Sequence, residues 1–123
     1  GLGEASVAEF KSRYSIERDR VDRVDVLLAR AEQQIDQGFI TEPNDNNAVE
    51  TLREVLRLDP GNEVAERRLL ESAERLALVA REAHEVGLQT EAQLYLELAL
   101  TVRPDVGEWR RLRDQWTNEE SSR

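Results

Sequence analysis

The 123-residue sequence predicts an all-α protein, an array of antiparallel helical hairpins with five to six helices. Three observations carry that expectation. Apolar residues recur at spacings of three and four along most of the chain, the period of one helix face. No stretch combines alternation with β-branched enrichment over strand length, so no strand is predicted. A helix-stop signature also occurs twice with identical offsets. It reads Ala48, Leu52, Val55, Pro60 in the first copy and Ala92, Leu96, Ala99, Pro104 in the second. In each copy the proline sits just past the last periodic residue, where it cannot continue a helix.

The elements follow in order. Residues 1–15 are weakly periodic, with Val7, Phe10 and Tyr14 three and four apart, and read as a short helix or a frayed tail. From Ile16 to Gln37 the residues Val21, Val24, Leu27, Leu28, Ala31 and Ile35 form an apolar stripe, and Gly38 follows as a C-cap. The segment "FITEPNDNN" is a connection, broken by Pro43, in which Asp45 or Asn46 is the expected cap of the next helix. Phe39 and Ile40 should tuck against the helices. A second helix is predicted from Asn47 to Leu58, ended by "DPGN". Asn62 then caps a long helix from Glu63 to Val86, about 35 Å at 1.5 Å per residue, which Gly87 terminates. After the link "LQT", a helix from Glu91 to Val102 stops before Pro104. Asp105 is expected to cap a last helix through Asn118, with Trp109, Leu112 and Trp116 as its stripe.

These residues resemble the tetratricopeptide repeat. That family has two antiparallel helices per 34-residue unit, small residues where the helices touch, and a proline after the second. Leu76, Ala80, Ala83, Gly87, Ala92, Leu96, Ala99 and Pro104 fall at the family's spacings, and the likeness covers about Asp25 to Pro104. It implies close helix contact at Ala80 and Ala92, with Tyr95 and Leu98 packing outward onto neighbouring helices. It also implies a segment of right-handed α-α superhelix. Two departures argue for an irregular version. Gly38 to Ala48 is ten residues where Gly87 to Ala92 is five, and the two signature prolines are 44 apart rather than 34. The division expected is a tail or short helix over 1–15, a repeat domain over 16–106, and a capping helix with tail over 107–123. The wording of "DQGFITEPNDNNAVETLREVLRLDPGN" resembles repeat segments of bacterial envelope and signalling proteins. A bacterial source follows as an expectation, with an envelope or periplasmic location favoured over a cytoplasmic one.

Composition narrows the function classes. The net charge is −9, from 17 basic and 26 acidic residues, and neither half of the chain is basic. A nucleic-acid or anionic-membrane surface is therefore not expected. No apolar run reaches the roughly 20 residues of a membrane span, and no signal peptide is visible. The chain starts Gly1-Leu2-Gly3 and reads as part of a larger protein. With no Cys, a single His, no Gly-rich phosphate loop and no nucleophile elbow, neither an enzyme nor a metal or cofactor protein is predicted.

Several residues still invite a functional reading. His84 stands between Glu82 and Glu85, but lacks a second soft ligand for a metal. Asp19, Asp22, Asp25, Glu32 and Asp36 are interleaved with Arg18, Arg20, Arg23 and Arg30, which reads as a solvated face of ion pairs. "NDNN" lacks the carboxylate pattern of a calcium loop. Trp109 and Trp116 share one helix face. They are expected to cap the core, with an edge on that terminal face available to another chain.

The family resemblance further implies a groove lined by the first helix of each unit. Counting back from Gly38, the lining is Asp25, Leu28, Glu32, Ile35 and Asp36. Counting back from Gly87, it is Glu74, Ala77, Arg81, His84 and Glu85. Such a mixed lining suits a peptide or helix with a few apolar anchors and a basic residue, unless the N-terminal segment fills it. The function expected is a non-catalytic module for protein–protein interaction or assembly. The alternative is a structural spacer or a homodimerising domain.

Overall fold

The computed structural model describes residues 2–122, with side chains from residue 8 onward, so Gly1, Arg123 and the Val7 side chain lie outside the described residues. Five helices account for the fold: α1 (Leu2–Asp36), α2 (Ala48–Leu58), α3 (Glu63–Glu85), α4 (Gln89–Val102) and α5 (Gly107–Ser121). Among the described residues there is no strand.

α1 differs from expectation at its start. It has no break near Ser15 and runs as one 35-residue helix. Between Gly3 and Gly38 the sequence contains neither glycine nor proline, so nothing interrupts the backbone hydrogen bonds. The N-terminal residues therefore extend the helix and do not fold back into a groove. Gly38 ends it with φ +81°, a left-handed conformation that glycine adopts without steric cost.

The connection 37–47 is ordered by its own polar groups. The first amides of α2, which lack intrahelical partners, donate back into the loop: Ala48 N–H to the Phe39 carbonyl (2.8 Å) and Val49 N–H to Ile40 (3.0 Å). The helix cap is Asn47, not Asp45 or Asn46. Its side chain accepts from Glu50 N–H at 2.9 Å and donates to the Pro43 carbonyl at 3.0 Å. Asp45 instead takes φ +66°, and its amide donates to the Glu50 carboxylate at 2.8 Å. Ile40 is buried and Phe39 half-buried, as predicted.

α1 and α2 are antiparallel. Arg20 donates to the Leu58 carbonyl at 3.1 Å, and fourteen residues further along α1 the Gln34 amide lies 2.7 Å from the Thr51 hydroxyl. Gln34 and Thr51 are buried polar side chains that periodicity does not reveal. α3 and α4 form the most extensively packed pair, joined by the turn Val86–Leu88 with Gly87 at φ +84°. α4 starts two residues earlier than expected, at Gln89. α5 lies antiparallel to α4: Gln93 donates to Glu120 at 2.7 Å, while Arg113 sits 3.9 Å from Glu97. Across the pairs, an ion pair joins Glu32 of α1 to Arg68 of α3, and Arg53 of α2 donates to the Thr101 carbonyl at the end of α4 (3.0 Å).

Leu52, Val55 and Leu96 fill the centre, surrounded by alanines. Ala48, Ala65, Ala73, Ala80, Ala92 and Ala99 are completely buried, and their small side chains let the helix axes approach. Val21, placed on the apolar stripe of α1 by spacing, is exposed. It lies beside Arg20, which meets the last residue of α2, where the α1–α2 pairing ends.

The start of α5 also departs from prediction. It is flanked by Val106 with no side-chain cap, and Asp105 has another partner. Arg103 donates to it through Nε and Nη2, both at 2.9 Å, and this bidentate pair holds the Asp105 carboxyl down to about 2.

Candidate functional site

The residues expected to line a groove on α3 meet α5. The chain turns at Pro104 and brings Val106, Glu108 and Trp109 against the middle of α3. Between them lies a cleft of about 390 Å³. Glu74, Ala77 and Arg81, three of the expected residues, line it together with Leu70, Leu78, Val106 and Trp109. Ala77 is 2% exposed and forms the floor, while Leu78 is largely open to solvent. Arg81 donates to the Glu108 carboxylate at 2.6 Å across the rim.

His84 is not open to a ligand in this arrangement. Its ring stacks on Trp116, with centroids 4.4 Å apart and planes 7° from parallel, and its Nε2 lies 3.2 Å from Glu119. The stacking partner could not be read from local spacing, since 32 residues separate the two rings. Glu85 is exposed at the end of α3.

The α1 residues have other roles. Leu28 and Ile35 pack against the core, and Glu32 is held by Arg68. Arg68 is shared with Glu71, and hydrogen bonds first to Glu71 and then to Glu32 raise its pKa. Asp25 and Asp36 are exposed. Of the ten expected lining residues, the structure therefore brings Glu74, Ala77 and Arg81 together in the cleft.

Trp109 and Trp116 are 4% and 3% exposed, so both rings point into the molecule and cap the core. Little of either ring is left open on the terminal face, and Trp109 shows only the edge that lines the α3–α5 cleft. Among the described residues, no group of three His, Asp or Glu side chains is placed to hold a metal ion, and no helix is long and apolar enough to cross a membrane.

A second cleft, of about 380 Å³, lies between the Gly38–Glu42 loop, α3 and α4. Ile40, Arg75, Val79, Leu94, Tyr95 and Leu98 line it. Tyr95 and Leu98 pack against the core, as the resemblance implies, and also wall this hollow, which the sequence pattern does not reveal. The available signal was the pair of apolar residues off the core stripes, Val79 and Leu94, both exposed. No protein-family model, curated protein or solved structure matches the chain.

Proposed function

We propose that this chain is a non-catalytic docking module of a larger bacterial protein, holding a peptide or helix of another protein in the α3–α5 cleft. The reading treats the fold as an irregular tetratricopeptide-like array, with α1/α2 and α3/α4 as its two units and α5 as the first helix of a truncated third. The observation that carries it is the convergence of Glu74, Ala77 and Arg81 on one cleft with apolar walls from Leu70, Leu78, Val106 and Trp109. An apolar anchor side chain would displace water from those walls, which is the main source of affinity in such grooves.

The rim would set specificity. Arg81 and Glu108 are both substantially exposed, so their ion pair is screened by water and exchanges partners at small cost. A ligand carboxylate can take Arg81, and a ligand ammonium or guanidinium can take Glu74 or the released Glu108. Self-association through the Trp109–Trp116 face draws less support, because both rings are buried.

Selection of peptides against the chain, followed by chemical-shift mapping, tests the reading. Selected peptides should shift the amides of Leu70, Leu78 and Glu108. Leu78→Asp, which places a charge on the anchor wall, should weaken them roughly tenfold or more. Peptides that map elsewhere, or that bind Leu78→Asp as well as the parent chain, count against it.

A further inference from the structure

α1 projects beyond the helix it packs on. Arg20 meets the Leu58 carbonyl at the last residue of α2, so the part of α1 before Arg20 has no α2 beside it. Residues 8–20 of this arm span about 20 Å. Phe10 and Tyr14 are 70% and 61% exposed along it, and Val21, just past its end, is 48% exposed.

These exposed residues are in register with the core. Phe10, Tyr14, Glu17, Val21, Val24, Leu28, Ala31 and Ile35 alternate at steps of four and three. That is the 3.5-residue repeat of a coiled-coil seam, with Tyr14, Val21, Leu28 and Ile35 at a and Phe10, Glu17, Val24 and Ala31 at d. From Val24 onward the seam is covered by the rest of the fold. Before Val24 the same seam continues uncovered. The positions that flank it on the arm are all basic: Lys11 and Arg18 at e, Arg13 and Arg20 at g.

We infer that this arm docks an amphipathic helix of another protein whose flanking positions are acidic. The charges decide between occupants. In a parallel pair of identical arms, Arg13 of one faces Arg18 of the other. In an antiparallel pair, e faces e and g faces g, so basic groups again meet basic groups. Like charges at these positions disfavour self-pairing in both orientations. Acidic flanks on a partner helix turn the clashes at Lys11, Arg13 and Arg18 into ion pairs, Arg20 being already held by Glu17 and the Leu58 carbonyl, within a chain whose net charge of −9 otherwise repels acidic partners. A membrane surface fits less well. Glu9 and Asp19 lie among the basic residues of the polar side, Glu17 interrupts the apolar seam itself, and that seam is narrower than an interfacial helix needs. Glu17, already paired with Arg20, is the polar d position that fixes the partner's register.

The test uses the 123-residue chain and two synthetic three-heptad helices. Both carry Leu at a and d; one carries Glu at e and g, its twin Lys. The Glu helix should bind roughly tenfold tighter than the Lys twin, with the gap narrowing at high salt. The double variant Phe10→Ser, Tyr14→Ser should lose the Glu helix while keeping its circular dichroism and melting curve, because both side chains are exposed. Leu78→Asp, in the separate α3–α5 cleft, should leave this binding unchanged. Equal binding of the two helices, or binding of neither, overturns the inference. So does a dimer in sedimentation equilibrium that the double variant abolishes, which would make a second copy the occupant. Preference for phosphatidylserine vesicles over the Glu helix overturns it too.

Discussion

Replacing Trp116 with alanine removes an indole that is 3% exposed and stacked on His84 at 4.4 Å. A buried tryptophan withdraws about 200 Å² from water, so at about 25 cal/mol per Å² its burial contributes about 5 kcal/mol as an upper bound. α5 is the last helix and packs mainly on α4, so it can settle partly into the vacancy. The expected loss is therefore about 3–4 kcal/mol, within the range for large-to-small changes at aromatic core sites. Urea unfolding followed by far-ultraviolet circular dichroism reads this directly. With a slope near 2 kcal/mol per molar urea, the midpoint should fall by about 1.5–2 M. Hydrogen exchange should show α5 amides losing protection before those of α3 and α4, since the lesion lies between a terminal helix and the end of α3. A cycle with His84→Ala should isolate about 1 kcal/mol for the stacked pair. An unchanged midpoint with α5 still protected would refute the claim that Trp116 holds this helix to the core.

Two further outcomes concern the polar scaffold. Asn47→Ala removes both the cap to Glu50 N–H and the bond to the Pro43 carbonyl, and should lower stability by about 1–2 kcal/mol in the same urea assay. Asp105 has its carboxyl lowered from 3.8 to about 2 by Arg103, so the pair stabilises the fold above the unfolded value and loses that contribution as pH falls from about 4 through 2. Acid titration of unfolding should accordingly show a shallower slope over that window in Asp105→Asn than in the parent chain.

The helices themselves were legible because their signals are local. Gly38 and Gly87 announce left-handed C-terminal turns, Asn62 is the predicted cap, and Pro60 and Pro104 prevent continuation. The apolar stripes identified Leu52, Val55, Leu96 and the contact alanines. The departures arise where a residue's role depends on something distant in sequence. Asn47 rather than Asp45 caps α2 because the Ala48 and Val49 amides bond back to Phe39 and Ile40, which sets where the helix begins, while Asp45 sits in the loop at φ +66°. Asp105 is drawn from α5 by the guanidinium two residues before it. Gln34 and Thr51 look like surface residues until α1 and α2 are brought face to face.

The candidate site divides in the same way. The family resemblance named Glu74, Ala77 and Arg81 together with His84, and the first three do line one cleft, but it gave no sign that α5 would cover His84 through Trp116. Leu28 and Ile35, which spacing puts on the apolar stripe of α1 and the resemblance puts in the groove, follow the spacing and pack against the core. The hollow beside Val79 and Leu94 depends on the loop at Ile40, whose path no periodic pattern encodes.

α1 also governs how this molecule moves through water. Thirty-five residues of helix make a rod of about 52 Å, whereas a sphere with the radius of gyration of about 14 Å expected for a compact chain of this length is about 36 Å across. Friction on such a rod slows diffusion and tumbling well beyond what the mass alone requires. A monomer should therefore elute early from a sizing column, and its amide resonances should relax anisotropically, fastest for bonds lying along the rod.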